Sequence, residues 1–164
     1  YNSAFKWVVS PGEDRYRRGL YTFFKRTAPH PNLMTFDCPD SNVTNVMRGR
    51  SNTPLAALIT LNNDTFAEAA QALAGRVLRE IYEGDDLRLK RAFQLCLSRA
   101  PSREEHGRLA SLLEDARSYY RSAPEDAEKF AGEHVPEGIA PEEAASWAAM
   151  VRVILNLDEF ITRS

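Results

Sequence analysis

The sequence predicts a mainly α-helical domain, an irregular bundle of about five helices with a long ordered loop. Apolar residues recur at helical spacing from residue 53 onward. Helix-start signals precede these stretches, such as Thr53 before Pro54. A length of 164 residues, 43% of them hydrophobic and 27% charged, is typical of one globular domain with a single core.

Residues 1–52 carry β-forming and turn-forming residues instead of a helical period. The stretches "FKWVVS" and "LYTFFKR" flank the turn-like "PGED", which indicates a small N-terminal β ribbon, with a helix over residues 15–26 as the alternative. Six early aromatic residues are expected to pack into the core: Trp7, Tyr16, Tyr21, Phe23, Phe24 and Phe36. Residues 27–52 are expected to form the long loop, since such loops in compact domains are usually functional or packed against another surface.

Residues 53–164 are expected to form the helical bundle. The predicted helices lie near residues 54–61, 65–82, 86–99, 103–121 and 141–160, with a short helix at 125–131 as an option inside a linker. Two of them begin with the capping boxes Thr65–Glu68 and Ser102–Glu105. The last helix is expected to bury an apolar stripe: Trp147, Met150, Val151, Ile154, Leu155 and Phe160. Because the chain begins with Tyr1, we expect one domain that is a fragment of a longer protein.

Charge is unevenly distributed along the chain. Residues 1–50 hold eight Lys or Arg and four Asp or Glu, a net +4, whereas the remainder has 13 bases and 19 acids, a net −6. The simplest interpretation is that the two segments face each other electrostatically. Nucleic-acid binding is disfavoured because the basic segment is short and the pI is near 6.0. No apolar run is long enough to predict a membrane span.

The residue patterns predict no catalytic residue and no metal site. The three histidines are far apart, there is no Gly-rich phosphate loop, and there is no Cys-x-x-Cys-His motif, so no haem attachment is expected in this chain. Cys38 and Cys96 are expected to be independent thiols rather than a disulfide.

A polar cluster around residues 37–64 contains the candidate binding residues: Asp37, Arg48, Arg50, Asn62 and Asp64. Arginines flanking Gly49 can grip a carboxylate or a sulfate with two hydrogen bonds, or they can tie the loop to an acid of the chain itself. We favour the second role and expect Arg48 or Arg50 to pair with Asp37. The Asn and Asp residues are expected to cap turns and helices in preference to binding calcium.

Three blocks of the sequence resemble a known family: "GEDRYRRGLYTFFKRTAPHPNLMTFDCPD", "NTPLAALITLN" and "VILNLDEFITR". They are similar to the C-terminal part of a planctomycete-specific domain of unknown function that ends large, exported, cytochrome-c-associated proteins. The resemblance implies an exported protein, periplasmic or at the cell surface, with haem elsewhere in the parent chain and the upstream part of the parent as partner. The chain departs from the family pattern at Ala56, Asn63 and Thr44, where Gln, Asp and Cys are usual.

The sequence therefore favours a non-catalytic structural or interaction module of a large exported multidomain protein. The alternative is part of an enzyme or binder that acts on sulfated or acidic polysaccharide. In that case Arg48, Arg50, Asp37 and the early aromatic residues would form the site.

Overall fold

A computed structural model describes residues 6–8, 10–39, 42–47, 49, 51–80 and 83–162. Over these residues the chain is mainly helical, as predicted, with eight α-helices and no strand. The helices are α1 Pro31–Thr35, α2 Pro54–Asn62, α3 Asp64–Glu80, α4 Gly84–Leu97, α5 Arg103–Ser122, α6 Pro124–Ala131, α7 Pro141–Leu155 and α8 Asp158–Ile161. The chain forms two compact units, Tyr1–Ala56 and Ala57–Ser164, which we call the N-terminal unit and the helical unit.

The N-terminal unit contains two 3₁₀ helices, Gly12–Tyr16 and Gly19–Tyr21, followed by α1. Neither the β ribbon nor a continuous helix over residues 15–26 is found in the described part of this unit. The reason is local: Arg17 and Arg18 have extended backbone, with ψ angles of 148° and 147°, and this separates the two helical turns. Helix α1 interrupts the expected 27–52 loop and begins with Pro31, whose fixed φ suits the first helical position.

The core of the helical unit is built around α7, which packs against α3, α5 and α6. Nine of the fifteen α7 residues are buried, so the helix is covered on more than one side, as its mostly apolar sequence requires. The predicted stripe from Trp147 to Leu155 is confirmed. Small residues complete the buried surface of α7 on its other sides: Ala144, Ala145, Ser146 and Ala148.

Polar side chains cap the starts of α2, α3 and α5, and two of the three predicted caps are confirmed. Thr53 Oγ1 accepts a hydrogen bond from Ala56 N at 3.1 Å. Ser102 and Glu105 form the reciprocal capping box of α5, with distances of 2.7 Å and 3.2 Å.

The predicted start of α3 at Thr65 is wrong by one residue, because Asn63 takes the capping role. Asn63 N still donates to Ile59 O of α2 at 2.9 Å, while Asn63 Oδ1 accepts from Thr65 N at 3.0 Å. Asn63 therefore ends α2 and caps α3. The gap expected between these two helices, residues 62–64, shrinks to this single residue.

The last predicted helix is shorter than expected. It ends at Leu155, because Leu157 is extended with φ −67° and ψ 143°, and α8 starts separately at Asp158. Phe160 consequently lies outside the stripe and is 37% exposed.

A glycine in α3 permits the closest backbone approach in the helical unit. A Cβ added to buried Gly75 would lie 2.3 Å from the carbonyl oxygen of His134. Since Gly75 and the His134 carbonyl both belong to packed backbone, neither can move aside without displacing a segment of the chain.

We predict that Gly75→Ala lowers the free energy of unfolding by about 1–3 kcal/mol, since the added methyl group overpacks a rigid contact. Gly107→Ala in α5 is the matched control, because a Cβ there meets nothing within 4 Å. The control should raise stability by about 0.5–1 kcal/mol through helix propensity. Urea unfolding measures both changes, and equal effects of the two substitutions would contradict the close approach.

Candidate functional site

Asp37 is the predicted site residue with the clearest structural role. Its carboxylate accepts hydrogen bonds from Ser51 N at 2.7 Å and from Ser51 Oγ at 2.8 Å. Its backbone has a φ of 56°, a left-handed conformation that Asp tolerates better than most residues. The bonds between Asp37 and Ser51 thus connect two points of the N-terminal unit that are fourteen positions apart in the sequence.

Arg48 and Arg50 lie outside the described residues. Their expected ion pair with Asp37 therefore stays a prediction.

Asn62 and Asp64 lie in the helical unit on either side of Asn63, the residue shared by α2 and α3. Asn62 Nδ2 donates to Leu58 O at 2.9 Å, and Asp64 occupies the first turn of α3, where a negative charge stabilises the helix dipole. Both roles are local to the helix junction. No group of three or more His, Cys, Asp or Glu residues that could hold a metal ion occurs among the residues that the structure describes.

The N-terminal unit exposes apolar side chains that a self-contained domain would bury. No described residue from 6 to 55 is buried, and among the residues of this unit that the structure describes only Ala56, its last, is buried. The apolar side chains that are more than three-quarters exposed are Val8, Leu20, Val43, Val46 and Met47. Exposed apolar surface of this kind is typical of a surface that contacts another protein surface.

The early aromatic residues divide into two groups, which corrects the expectation that all of them enter the core. Tyr16, Tyr21 and Phe23 are 60–68% exposed. Trp7 is half-buried, donates from Nε1 to Ala28 O at 3.1 Å, and meets the His30 ring edge to face with centroids 5.0 Å apart. Phe24 and Phe36 are also half-buried.

A shallow groove of about 280 Å³ lies between α5 and α6, and sequence analysis did not point to it. Its lining residues are Tyr119, Tyr120, Asp126, Lys129 and Phe130. The Tyr119 hydroxyl donates to Asp126 at 2.8 Å, and this bond raises the pKa of Tyr119. The groove is small beside the 300–1,000 Å³ that small-molecule sites usually occupy, and two of its polar groups bond each other.

The densest cluster of titratable side chains surrounds Arg117 of α5, whose side chain is only 13% exposed. It bonds Glu143 of α7, Asp85 of α4 at 2.6 Å, and Glu114 at 2.8 Å. The guanidinium of Arg117 holds the pKa of Asp85 below its usual value. Since each carboxylate is bonded to the arginine, the cluster ties three helices together.

A second network joins the end of α4 to α5 and α8. Arg99 contacts Glu105 at 2.8 Å and Glu159 at 2.6 Å, and its guanidinium lies 4.9 Å from the centre of the Phe93 ring. Hydrogen bonds from Arg99 and from the backbone N–H of Ser102 hold the pKa of Glu105 at about 2.

One family model matches the sequence over residues 1–113, more than half of the chain. Its description is a protein of unknown function, DUF1553. The chain belongs to this family. No curated protein and no solved structure matches it.

The matched segment of this DUF1553 member contains the whole N-terminal unit, α2, α3, α4 and the first half of α5. The first two blocks that resemble the family, residues 12–40 and 52–62, lie inside this segment. The third block, residues 153–163, lies outside. Among the residues that the structure describes, no helix is long and apolar enough to cross a membrane.

We predict that Asp37→Ala speeds protease nicking between residues 38 and 50 by about tenfold, because it removes both bonds to Ser51 and places alanine at a positive φ. Asp37→Asn should nick much more slowly than Asp37→Ala, since asparagine tolerates this backbone and keeps one acceptor oxygen. Equal rates for the two variants and the wild type would show that Asp37 does not close the loop.

A further prediction concerns acid stability. A folded-state pKa of about 2 lies below the ordinary 4.5, so Glu105 stabilises the fold above about pH 4.5, and the contribution disappears as pH falls toward 2. Glu105→Gln should therefore lower stability at pH 7 by about 0.5–1 kcal/mol and flatten the decline of stability between pH 4.5 and 2.

Glu104→Gln is the control for this measurement, because the Glu104–Arg108 pair is about three-quarters exposed on both sides. Urea unfolding at a series of pH values should show a smaller change in the acid slope for Glu104→Gln. An unchanged slope for Glu105→Gln would contradict the assignment.

Proposed function

We propose that this chain is a non-catalytic structural or interaction module of a larger exported protein, and that another part of that protein covers its N-terminal unit. The observation that carries the proposal is the absence of buried side chains among the described residues 6–55. Apolar side chains such as Val46 and Met47 are instead exposed. Ordering a residue costs about 1–2 kcal/mol in backbone entropy, and burial of apolar surface is the main compensation.

The helical unit supports the same proposal by contrast. It buries Trp147, Phe93 and Met150 completely, so it possesses a core of its own. Its charged clusters are bonded internally, and its groove is small. These features fit a structural scaffold better than they fit a catalytic centre.

Hydrogen exchange tests the proposal on the full-length protein and on this chain alone. We expect amides of residues 42–47 to exchange at least tenfold more slowly in the full-length protein, because the covering segment excludes water and restricts opening. Amides of α7 should exchange equally in both, since the helical unit carries its own core. Equally fast exchange of residues 42–47 in both proteins would refute the proposal.

A paired substitution sharpens this test. Val46→Ser should remove much of the protection in the full-length protein without changing the unfolding of the chain alone, because Val46 is 99% exposed there. Leu87→Ser in the helical unit, where the side chain is 44% exposed, should leave exchange of residues 42–47 unchanged.

A second candidate function is binding of a sulfated or acidic polysaccharide. Arg15 stacks on Tyr16 at 5.1 Å and Arg18 on Tyr21 at 5.6 Å, and both rings are exposed, which favours a surface that takes anionic sugars. A sulfated-glycan array separates the two functions. Salt-sensitive binding would support this second candidate, and its absence would exclude it.

A further inference from the structure

The segment of residues 10–21 is held in place although every one of its residues is exposed. Its second 3₁₀ helix lies against α1, because a Cβ added to Gly19 would be 2.9 Å from Leu33 Cδ2. Only glycine allows that approach without displacing the leucine. Arg18 precedes this 3₁₀ helix and Tyr21 ends it, one on either side of Gly19.

Two arginines of this segment lie on neighbouring aromatic rings. Arg18 also donates from Nη2 to the Tyr21 hydroxyl at 3.3 Å, which orients the guanidinium over the ring. Stacking on the ring face occupies the plane of a guanidinium, whereas its N–H donors point outward along the edge. An orientation of this kind suits a carboxylate that approaches from outside.

The segment of residues 10–21 has three arginines and two acids, a net charge of +1. Arg17 pairs with Asp14 at 2.6 Å, but Arg18 forms no ion pair with any described residue. Residues 1–50 together carry a net charge of +4. A partner surface with carboxylates would therefore be attracted, and a basic one repelled.

Exposed apolar side chains follow these arginines closely in the sequence. Leu20 is 82% exposed and Phe23 is 68% exposed. A polyanion such as a glycan gains little from an exposed leucine, whereas protein interfaces combine buried apolar and aromatic anchors with arginine. The combination favours a protein surface as the partner.

We infer that the arginine–aromatic edge, formed by Arg15, Arg18, Leu20, Tyr21 and Phe23, docks on an acidic, partly apolar surface of the same larger protein. The inference rests on the proposed function and names the chemistry of the covering surface. The arginines steer and orient the contact, and Leu20 and Phe23 supply the buried area.

The test is hydrogen exchange of residues 10–23 in the full-length protein at low and high salt. We expect protection in the wild type that falls several-fold between about 0.05 and about 1 M NaCl, as screening weakens the charge contacts. Arg15→Glu combined with Arg18→Glu should abolish most of the low-salt protection. The control is Lys90→Glu combined with Arg103→Glu, which changes net charge equally on exposed sites of the helical unit and should have no effect.

Leu20→Ser gives an independent arm, because it changes no charge. It should reduce protection at both salt concentrations. Protection that ignores salt and the arginine reversals would overturn the acidic partner while leaving the proposed function standing. Absence of protection of residues 10–23 at any salt would refute the docking of this edge, whereas the exchange of residues 42–47 decides the proposed function separately. Binding of a heparin-type polysaccharide that the arginine reversals abolish, without protection in the full-length protein, would replace the protein partner with a glycan.

Discussion

The polar contacts of the helical unit centre on one part-buried hydrogen bond, from Trp147 Nε1 to Glu143 Oε1 at 2.8 Å. Trp147 is fully buried in the central helix, so its N–H needs an acceptor inside the protein. The acceptor is a carboxylate, and a carboxylate in that position needs a cation, which Arg117 supplies. Arg117 in turn bonds Asp85 of α4. This series of bonds joins α4, α5 and α7.

The N-terminal unit is held by a different kind of interaction. Side chains bond backbone or one another at a few points: Trp7 to Ala28, Arg26 to Asn42, and Asp37 to Ser51. Such bonds contribute about 0.5–1.5 kcal/mol each and stabilise the path of the chain without removing apolar surface from water. The unit therefore has a defined local structure and still leaves its apolar side chains available to a partner.

Local signals predicted the helices well and the long-range contacts poorly. The starts at Pro54 and Arg103 follow from caps within three residues, and the stripe of α7 follows from its period. The Arg117 network joins residues 26 and 32 positions apart, and nothing in the local sequence distinguishes that arginine from its neighbours. The burial of Tyr16, Tyr21 and Phe23 was predicted wrongly because composition cannot distinguish a ring that fills a core from one that faces a partner. Of the candidate site, Asp37 was expected to pair with Arg48 or Arg50, which stays a prediction, whereas Ser51, its observed partner, was not foreseen.

The extent of the family match bears on the role of the exposed surface. Residues 1–113 carry the DUF1553 pattern, yet α7, around which the helical unit packs, lies beyond them. The matched segment instead includes the N-terminal unit, where no described residue before Ala56 is buried. Folding of this chain alone constrains exposed positions weakly, since surface substitutions usually change stability by less than about 0.5 kcal/mol. The family match extends over the N-terminal unit as well as over α2, α3 and α4, so the proposed covered surface belongs to the family domain itself.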